Sequence, residues 1–278
     1  MKLVHFSDVH VQLADWRSRT VRELGPLRAV ATIELWKGRG REYDGAAAAL
    51  RELARVASQA DHAICTGDLT QLGHPEEFAA ARDALGTLAT DPQRFTVLPG
   101  NHDRYPWHGR PSYFFEEYFP EHSRTDVCTR VRGVHLVGDA AVIVVDSAGS
   151  LSWPVVSRGR IDRAQLDALE AALRAPELRD RCKLVAVHHA PVLRGGRTDW
   201  PWHSLRGARA LLEVARTGGA KAILCGHIHD RFVYGKDPGV ICAGSSTQLG
   251  REGYFELEIR GPDLVSVTER SLRSRTPA

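Results

Sequence analysis

Five short apolar runs in this chain each stop at a cluster of aspartate, asparagine or histidine. "KLVHFSD" leads into Asp8-x-His10 and "DHAICTGD" into Gly67-Asp68. "RFTVLPGNHD" leads into Gly100-Asn101-His102-Asp103, "KLVAVHH" into His188-His189, and "AKAILCGH" into Gly226-His227-Ile228-His229. Apolar runs this short, ended by turn residues, predict buried strands. In α/β sheets the carboxyl ends of strands gather along one edge, and sites are built there. The pattern therefore restricts the fold and the place of its chemistry together. In Asp8-x-His10 and His227-x-His229 the two side chains of a pair also face the same side of an extended chain.

Helical segments separate the runs. Residues 46–60 carry apolar residues at helical spacing, and "HPEEFAAARDALGTLA" has Pro75 and two acids in its first turn. Helices are also expected over 162–174 and 204–216. "GVHLVGD" and "AVIVVDSA" read as further strands. The tail, from "RFVYGK" through "GVICAGSS" and "YFELEIRG" to "LVSVTER", reads as strand after strand. This order predicts α/β layers, with two sheets packed together and helices outside. No repeat or low-complexity linker divides the chain, so residues 1–278 are expected to form one domain.

Composition excludes several classes. The 278 residues are 43% hydrophobic and 26% charged, an ordinary globular balance for a chain able to bury a full core. No apolar stretch is long enough to span a bilayer, and "MKLVHFSDVH" lacks a signal-peptide layout, so a cytoplasmic protein starting at Met1 is expected. The five cysteines are odd in number and form no C-x-x-C pair, so they read as reduced thiols and none is assigned to zinc. Cys65 and Cys225 lie inside apolar runs. A net charge of +3 is too diffuse to imply a nucleic-acid polymer but suits a small anionic substrate.

Residues 14–45 break the alternation. Between Ala14 and Tyr43 the basic residues Arg17, Arg19, Arg22, Arg28, Lys37, Arg39 and Arg41 face the acids Asp15, Glu23, Glu34 and Glu42. Leu24, Leu27, Ala31 and Leu35 fall at helical spacing beside Trp36, and Gly25-Pro26 is a breaker. This amphipathic basic insertion reads as a segment packed on the body, with a substrate cap or a membrane-surface or lipid-substrate contact as alternatives.

The polar clusters supply seven donors: Asp8, His10, Asp68, Asn101, His188, His227 and His229. Carboxylates, imidazoles and an amide oxygen suit divalent manganese, iron or zinc, and the absence of thiolates argues against a closed structural zinc site. Seven donors exceed what one ion needs and suffice for two if a carboxylate bridges. Two ions about 3.5–4 Å apart can clamp a phosphoryl group.

The order D-x-H, G-D, G-N-H-D, H, G-H-x-H resembles the calcineurin-like metallophosphoesterase superfamily, from Asp8 to His229, with every metal-ligand position filled. The resemblance implies a four-layer αββα sandwich: two packed mixed β-sheets flanked by helices, with a dinuclear site at the strands' carboxyl ends. It implies one ion on Asp8, His10, Asp68 and His229, and another on Asp68, Asn101, His188 and His227, with Asp68 bridging. It implies hydrolysis by a hydroxide held between the ions. His102 would serve the leaving group and Asp103 would orient the His102 imidazole. His5, His62, His74, His122 and His135 lie outside the blocks and read as surface or hydrogen-bonded residues. His189 reads as a supporting or cleft-wall residue. "AGSST" reads as a loop whose Ser245 or Ser246 could meet substrate, and Arg104, Trp107 and His108 could line the cleft.

Gly67-Asp68-Leu69-Thr70 lacks the G-D-Y-V-D-R-G string of Ser/Thr protein phosphatases, and Gln71 stands where purple acid phosphatases place a tyrosine ligand. "GDLTQLGHPEEFAAARDAL", "LPGNHD", "VVDSA", "GRIDRAQLDALEAAL" and "HHAP" together are similar to small bacterial class III phosphodiesterases, which include the cyclic-nucleotide enzymes. A hydrolase of a cyclic nucleotide or related small phosphodiester is therefore expected. The alternatives are a UDP-2,3-diacylglucosamine-type nucleotide-lipid pyrophosphatase and a non-catalytic scaffold on the same fold.

Overall fold

The computed structural model describes residues 1–20, 28, 31–33, 35–106, 112–122, 131–148 and 157–272. Among these the strands are β1 (Lys2–Phe6), β2 (His62–Cys65), β3 (Phe95–Val97), β4 (Val131–Val137), β5 (Ala140–Val145), β6 (Gly159–Arg160), β7 (Cys182–His189), β8 (Leu205–Arg206), β9 (Ala222–Gly226), β10 (Arg231–Tyr234), β11 (Gly239–Ala243), β12 (Gly253–Arg260) and β13 (Asp263–Ser271). One sheet has the order β13-β12-β1-β2-β3 and the other β10-β11-β9-β7-β5-β4. β1, β2 and β3 are parallel in the first, and β5, β7, β9 and β11 in the second. Antiparallel strands lie at one end of the first sheet, β12 and β13, and at both ends of the second, β10 and β4; the parallel strand β3 forms the first sheet's other edge.

Two-sided burial explains why the central strands are unbroken apolar runs. In β5, Ala140, Val142 and Val144 pack between the sheets, whereas Ala141, Ile143 and Val145 pack under helices. In β9, Ala222 and Leu224 face the inter-sheet core, and Ile223 and Cys225 face away. Helices Ala46–Ala57 and Pro75–Leu85 cover the first sheet, and helices Arg163–Leu173 and Ala208–Thr217 the second. The result is the expected four-layer αββα sandwich.

Helix starts follow capping chemistry. Asp162 and Gln165 form a reciprocal capping box, and His74 with Glu77 forms another around Pro75. The helix expected over 204–216 begins later, at Ala208. Leu205–Arg206 pair with β6, and Gly207, at φ 95°, separates that pairing from the helix.

The insertion is anchored by a charge. Residues 28 and 31–33 are helical. Arg28, counted above with the basic residues of an amphipathic segment, is 1% exposed. Its guanidinium donates to the carbonyls of Leu72, Gly73, Tyr105 and Pro106 at 2.7–3.0 Å. Burial pulls its pKa down to about 10, against the opposing pull of Glu77. Ala31 and Leu35 join Leu13, Trp16, Leu72 and Tyr105 in a separate apolar cluster. Leu24, Gly25-Pro26 and Leu27 lie outside the described residues. No described helix is long and apolar enough to cross a membrane.

Candidate metal centre

The loops after β1, β2, β3 and β9, with the end of β7, meet at one edge of the sandwich. Asp8, His10, Asp68, His227 and His229 all have φ between 51° and 72°, and Asp237 is the one other non-glycine with positive φ among the described residues. Side chains rarely adopt this region, at a cost of about 1–3 kcal/mol each, and such strain clusters at functional sites. Neighbouring backbone holds the strained loops. Asp8 N donates to Gly67 O at 2.9 Å, and His10 N to Asp68 O at 3.0 Å. Ser245 Oγ donates to Asp8 O at 2.8 Å, Thr247 Oγ1 to Val9 O, and Ser7 N to Ser246 Oγ at 3.0 Å. Ser245 and Ser246 are thus buried braces of the Asp8 loop.

Two glycines of the motifs are required by contact. A Cβ on Gly100 would lie 2.1 Å from Asp68 Oδ1, and one on Gly226 would lie 2.1 Å from Asp8 Oδ2. The donors approach as closely as they do because neither position carries a side chain.

The seven expected donors converge in two groups. In the first, His229 Nε2 lies 3.2 Å from Asp8 Oδ1 and 3.0 Å from His10 Nε2, and His10 Nε2 lies 3.8 Å from Asp68 Oδ2. In the second, His188 Nε2 lies 3.4 Å from Asp68 Oδ2 and 3.1 Å from Asn101 Oδ1, and His227 Nδ1 lies 2.9 Å from Asn101 Oδ1. Asp68 belongs to both. Donors each about 2.1 Å from a common small divalent ion fall roughly 3–3.4 Å apart, so these spacings fit such ions, apart from the wider 3.8 Å between His10 and Asp68.

Hydrogen bonds at the far side of the rings sharpen the fit. His188 Nδ1 donates to Thr66 O at 2.8 Å, and His227 Nε2 donates to His203 O at 3.0 Å. A carbonyl only accepts, so in its neutral form, the one that ligates an ion, each ring turns a bare nitrogen toward Asn101 Oδ1. Converging lone pairs call for positive charge. Burial opposes a charged His188, but Asp68 and then Asp8 overcome it and push its pKa up to about 10. Burial would raise the Asp68 carboxyl, yet His188 and then His102 hold it well below the usual range. His227 goes the other way: burial, then His189, His203 and His188, drive it well below an ordinary histidine.

A cavity of about 130 Å³ opens on this cluster, lined in part by Asp68, Asn101, His102, His203, His227 and His229. His102 Nδ1 donates to Gln71 O at 2.6 Å, which leaves its Nε2 as the ring's other functional nitrogen. Asp103 does not orient that ring. Its carboxylate accepts from Leu69 N, Thr70 N, Thr70 Oγ1 and Gly100 N at 2.7–3.1 Å, so it ties the Asp68 loop to the Asn101 loop. Burial, then Asp68, pushes its pKa up to about 6. Arg104 is no cleft residue either: its buried guanidinium forks onto Glu116 at 2.5 and 2.7 Å. Trp107 and His108 lie outside the described residues. His189 falls within ligand reach of His188 and His227, but both its ring nitrogens are engaged, with Ser147 Oγ at 2.8 Å and Ser157 O at 2.9 Å.

The other five histidines named outside the motif blocks are hydrogen-bonded: His5 to Thr66, His62 to Gln93 and Thr96, His74 to Glu76, His122 to Ala89 and His135 to Pro92. Cys65, Cys182, Cys225 and Cys242 are free and buried, as hydrophobic thiols are. Cys128 lies outside the described residues.

Two site residues carry no signal in the sequence. Tyr43, fully buried, comes from the insertion, and its Oη lies 2.9 Å from His229 Nδ1. His203 presents its carbonyl to His227 and stacks on that ring, with centroids 3.9 Å apart. Its own Nδ1 meets Asp199 Oδ2 at 2.5 Å.

A sandwich of two mixed sheets that gathers histidine, aspartate and asparagine donors at one strand edge is the arrangement of metallophosphoesterases. The chain belongs to the calcineurin-like phosphoesterase family, whose model matches residues 1–231. It is 28% identical over 200 residues to the 3′,5′-cyclic adenosine monophosphate phosphodiesterase CpdA of Pseudomonas aeruginosa, a match spanning 71% of this chain and 65% of that protein. It is 26% identical over 245 residues to the glycerophosphodiester phosphodiesterase GpdQ of Enterobacter lignolyticus, across 83% of this chain and 71% of that protein. The crystal structure of a dimetal phosphatase from Danio rerio shares the fold with a TM-score of 0.59 at 13% identity, over 97% of this chain and 98% of that one.

Proposed function

We propose that this chain is a metal-dependent phosphodiesterase acting on a cyclic nucleotide or a related small phosphodiester. The observation that carries the reading is the convergence of seven donors in two groups sharing Asp68, with His102 beside them on the same cavity. Asp8, His10, Asp68 and His229 would hold one divalent ion, and Asp68, Asn101, His188 and His227 the other, as manganese, iron or zinc. Ions held there would supply Lewis acidity toward a phosphoryl group and would lower the pKa of an attacking water toward neutral.

The chain's own groups do the rest. The Asp68 carboxylate locks the two donor loops, since His102 N donates to its Oδ1 at 2.8 Å. The Gln71 carbonyl fixes the His102 tautomer and directs Nε2 to hold or deliver a proton at the departing oxygen. Asp103 acts through the backbone of both loops, as a positioning residue. We read residues 1–278 as one domain and the protein as cytoplasmic.

A nucleotide-lipid pyrophosphatase is the second reading. It is favoured by one observation: Ile33 and Trp36, beside Lys37 on the insertion, are 53% and 65% exposed. A panel with manganese separates the readings, using cyclic AMP, 2′,3′-cyclic nucleotides, glycerophosphodiesters, UDP-diacylglucosamine and a simple monoester. Preferred turnover of a small diester is expected. Preferred turnover of the lipid substrate would select the second reading, and no turnover with both ions bound would leave a scaffold. His102→Ala should lower the rate more for poor leaving groups than for p-nitrophenolate, and an equal loss would remove it as the acid.

A further inference from the structure

We infer that Trp200 and Trp202 form a stacking platform for the nucleobase of the substrate, a specificity element that rests on the phosphodiesterase reading. Their indoles stack on each other, with centroids 5.5 Å apart and planes within 13°, yet they are 68% and 57% exposed. Two large aromatic faces left in water are a ready surface for another flat group.

The pair is fixed to the metal centre by its own turn. Trp200 O accepts from His203 N at 2.9 Å and Ser204 N at 2.8 Å. The Asp199 carboxylate accepts from Trp200 N at 2.7 Å and meets His203 Nδ1 at 2.5 Å. His203, at the other end of this turn, lines the cavity and stacks on His227. Trp202 is its chain neighbour, with Cα atoms about 3.8 Å apart. The turn that carries the platform thus also carries His203, a wall of the cavity that would hold the phosphate, and a base attached through a ribose to that phosphate would lie against the indoles. A stacked indole accepts any base face and offers nothing comparable to an uncharged glycerol group. Each stacked base–aromatic contact is commonly worth a tenfold change or more in binding.

The test compares diesters with and without a base on the metal-loaded full chain. The double variant Trp200→Ala/Trp202→Ala should raise KM for cyclic AMP about tenfold. It should leave kcat, and both constants for the uncharged-headgroup diester glycerophosphoglycerol, within about twofold. Trp202→Phe, which keeps a ring, should retain most of the nucleotide affinity. An equal loss for both substrates would mean a merely structural wall, and no loss for either would mean no platform; each overturns the inference. So would a change in oligomeric state with nucleotide turnover intact, which would assign the pair to contact between copies of the chain. A readout independent of turnover separates failure here from failure of the proposed function. Adenosine 5′-monophosphate should quench tryptophan fluorescence more than glycerol 3-phosphate, and that difference should vanish in the double variant. If no diester is cleaved but the quench behaves so, the function fails and the platform stands; if diesters are cleaved without the quench, the platform fails.

Discussion

The two halves of the candidate metal centre are built differently. In the half around Asn101, His188 and His227, the three side chains are at most 5% exposed, and each imidazole is clamped from behind by a backbone carbonyl. Those carbonyls belong to Thr66, just past the end of β2, and to His203, in a turn braced by Asp199. In the half around Asp8, His10 and His229, the His229 side chain is 22% exposed, and its far nitrogen meets the phenol of Tyr43. One half is preorganised by the scaffold. The other leans on a segment that interrupts the regular alternation of strand and helix, so the first should bind its ion more tightly.

Asp68→Ala tests whether the halves are joined at all. Both ions should weaken together and turnover should fall by more than about a hundredfold, beyond the range typical of an outer partner. Near-normal activity would separate the halves. Asn101→Ala should strip the scaffold half alone, lowering activity roughly a hundredfold and leaving metal analysis near one ion per chain. Loss of both ions in that variant would mean that the two halves load cooperatively. The smallest effect belongs to Tyr43→Phe, which should weaken the Asp8 half roughly tenfold in metal affinity with the other half unchanged. Manganese titration followed by spin resonance resolves the two affinities; an equal shift in both would erase the asymmetry.

Much of the fold was legible because its signals are local. Strands buried on both faces read as apolar runs, and a donor placed at the end of such a run lands on the strand edge wherever the sheet puts it. The five ligand blocks could therefore be joined before any contact was known. What escaped depends on direction or on distance in the chain. Asp103 follows His102 directly and was expected to serve its ring. In the 3₁₀ turn His102–Arg104, however, successive side chains splay apart, and Asp103 turns back to Gly100, Leu69 and Thr70. Arg28 reads as surface charge by default, because arginine is rarely interior. It is interior here because four carbonyls of two loops converge on it. Tyr43 and His203 belong to no periodic pattern. Their roles arise from packing against residues 186 and 24 positions away.

The site also draws its donors from both sheets. Asp8, Asp68 and Asn101 follow strands of the first, whereas His188, His227 and His229 end or follow strands of the second. Ions seated there would rivet two layers that otherwise meet through apolar side chains and a few hydrogen bonds, among them His188 Nδ1 to Thr66 O and Ser245 Oγ to Asp8 O. Occupancy at a hundred times the dissociation constant adds about 2.7 kcal/mol for each ion bound only by the folded chain. Loading with metal would then raise the melting temperature as well as the rate, and a chelator would loosen the sandwich first at the edge where it works.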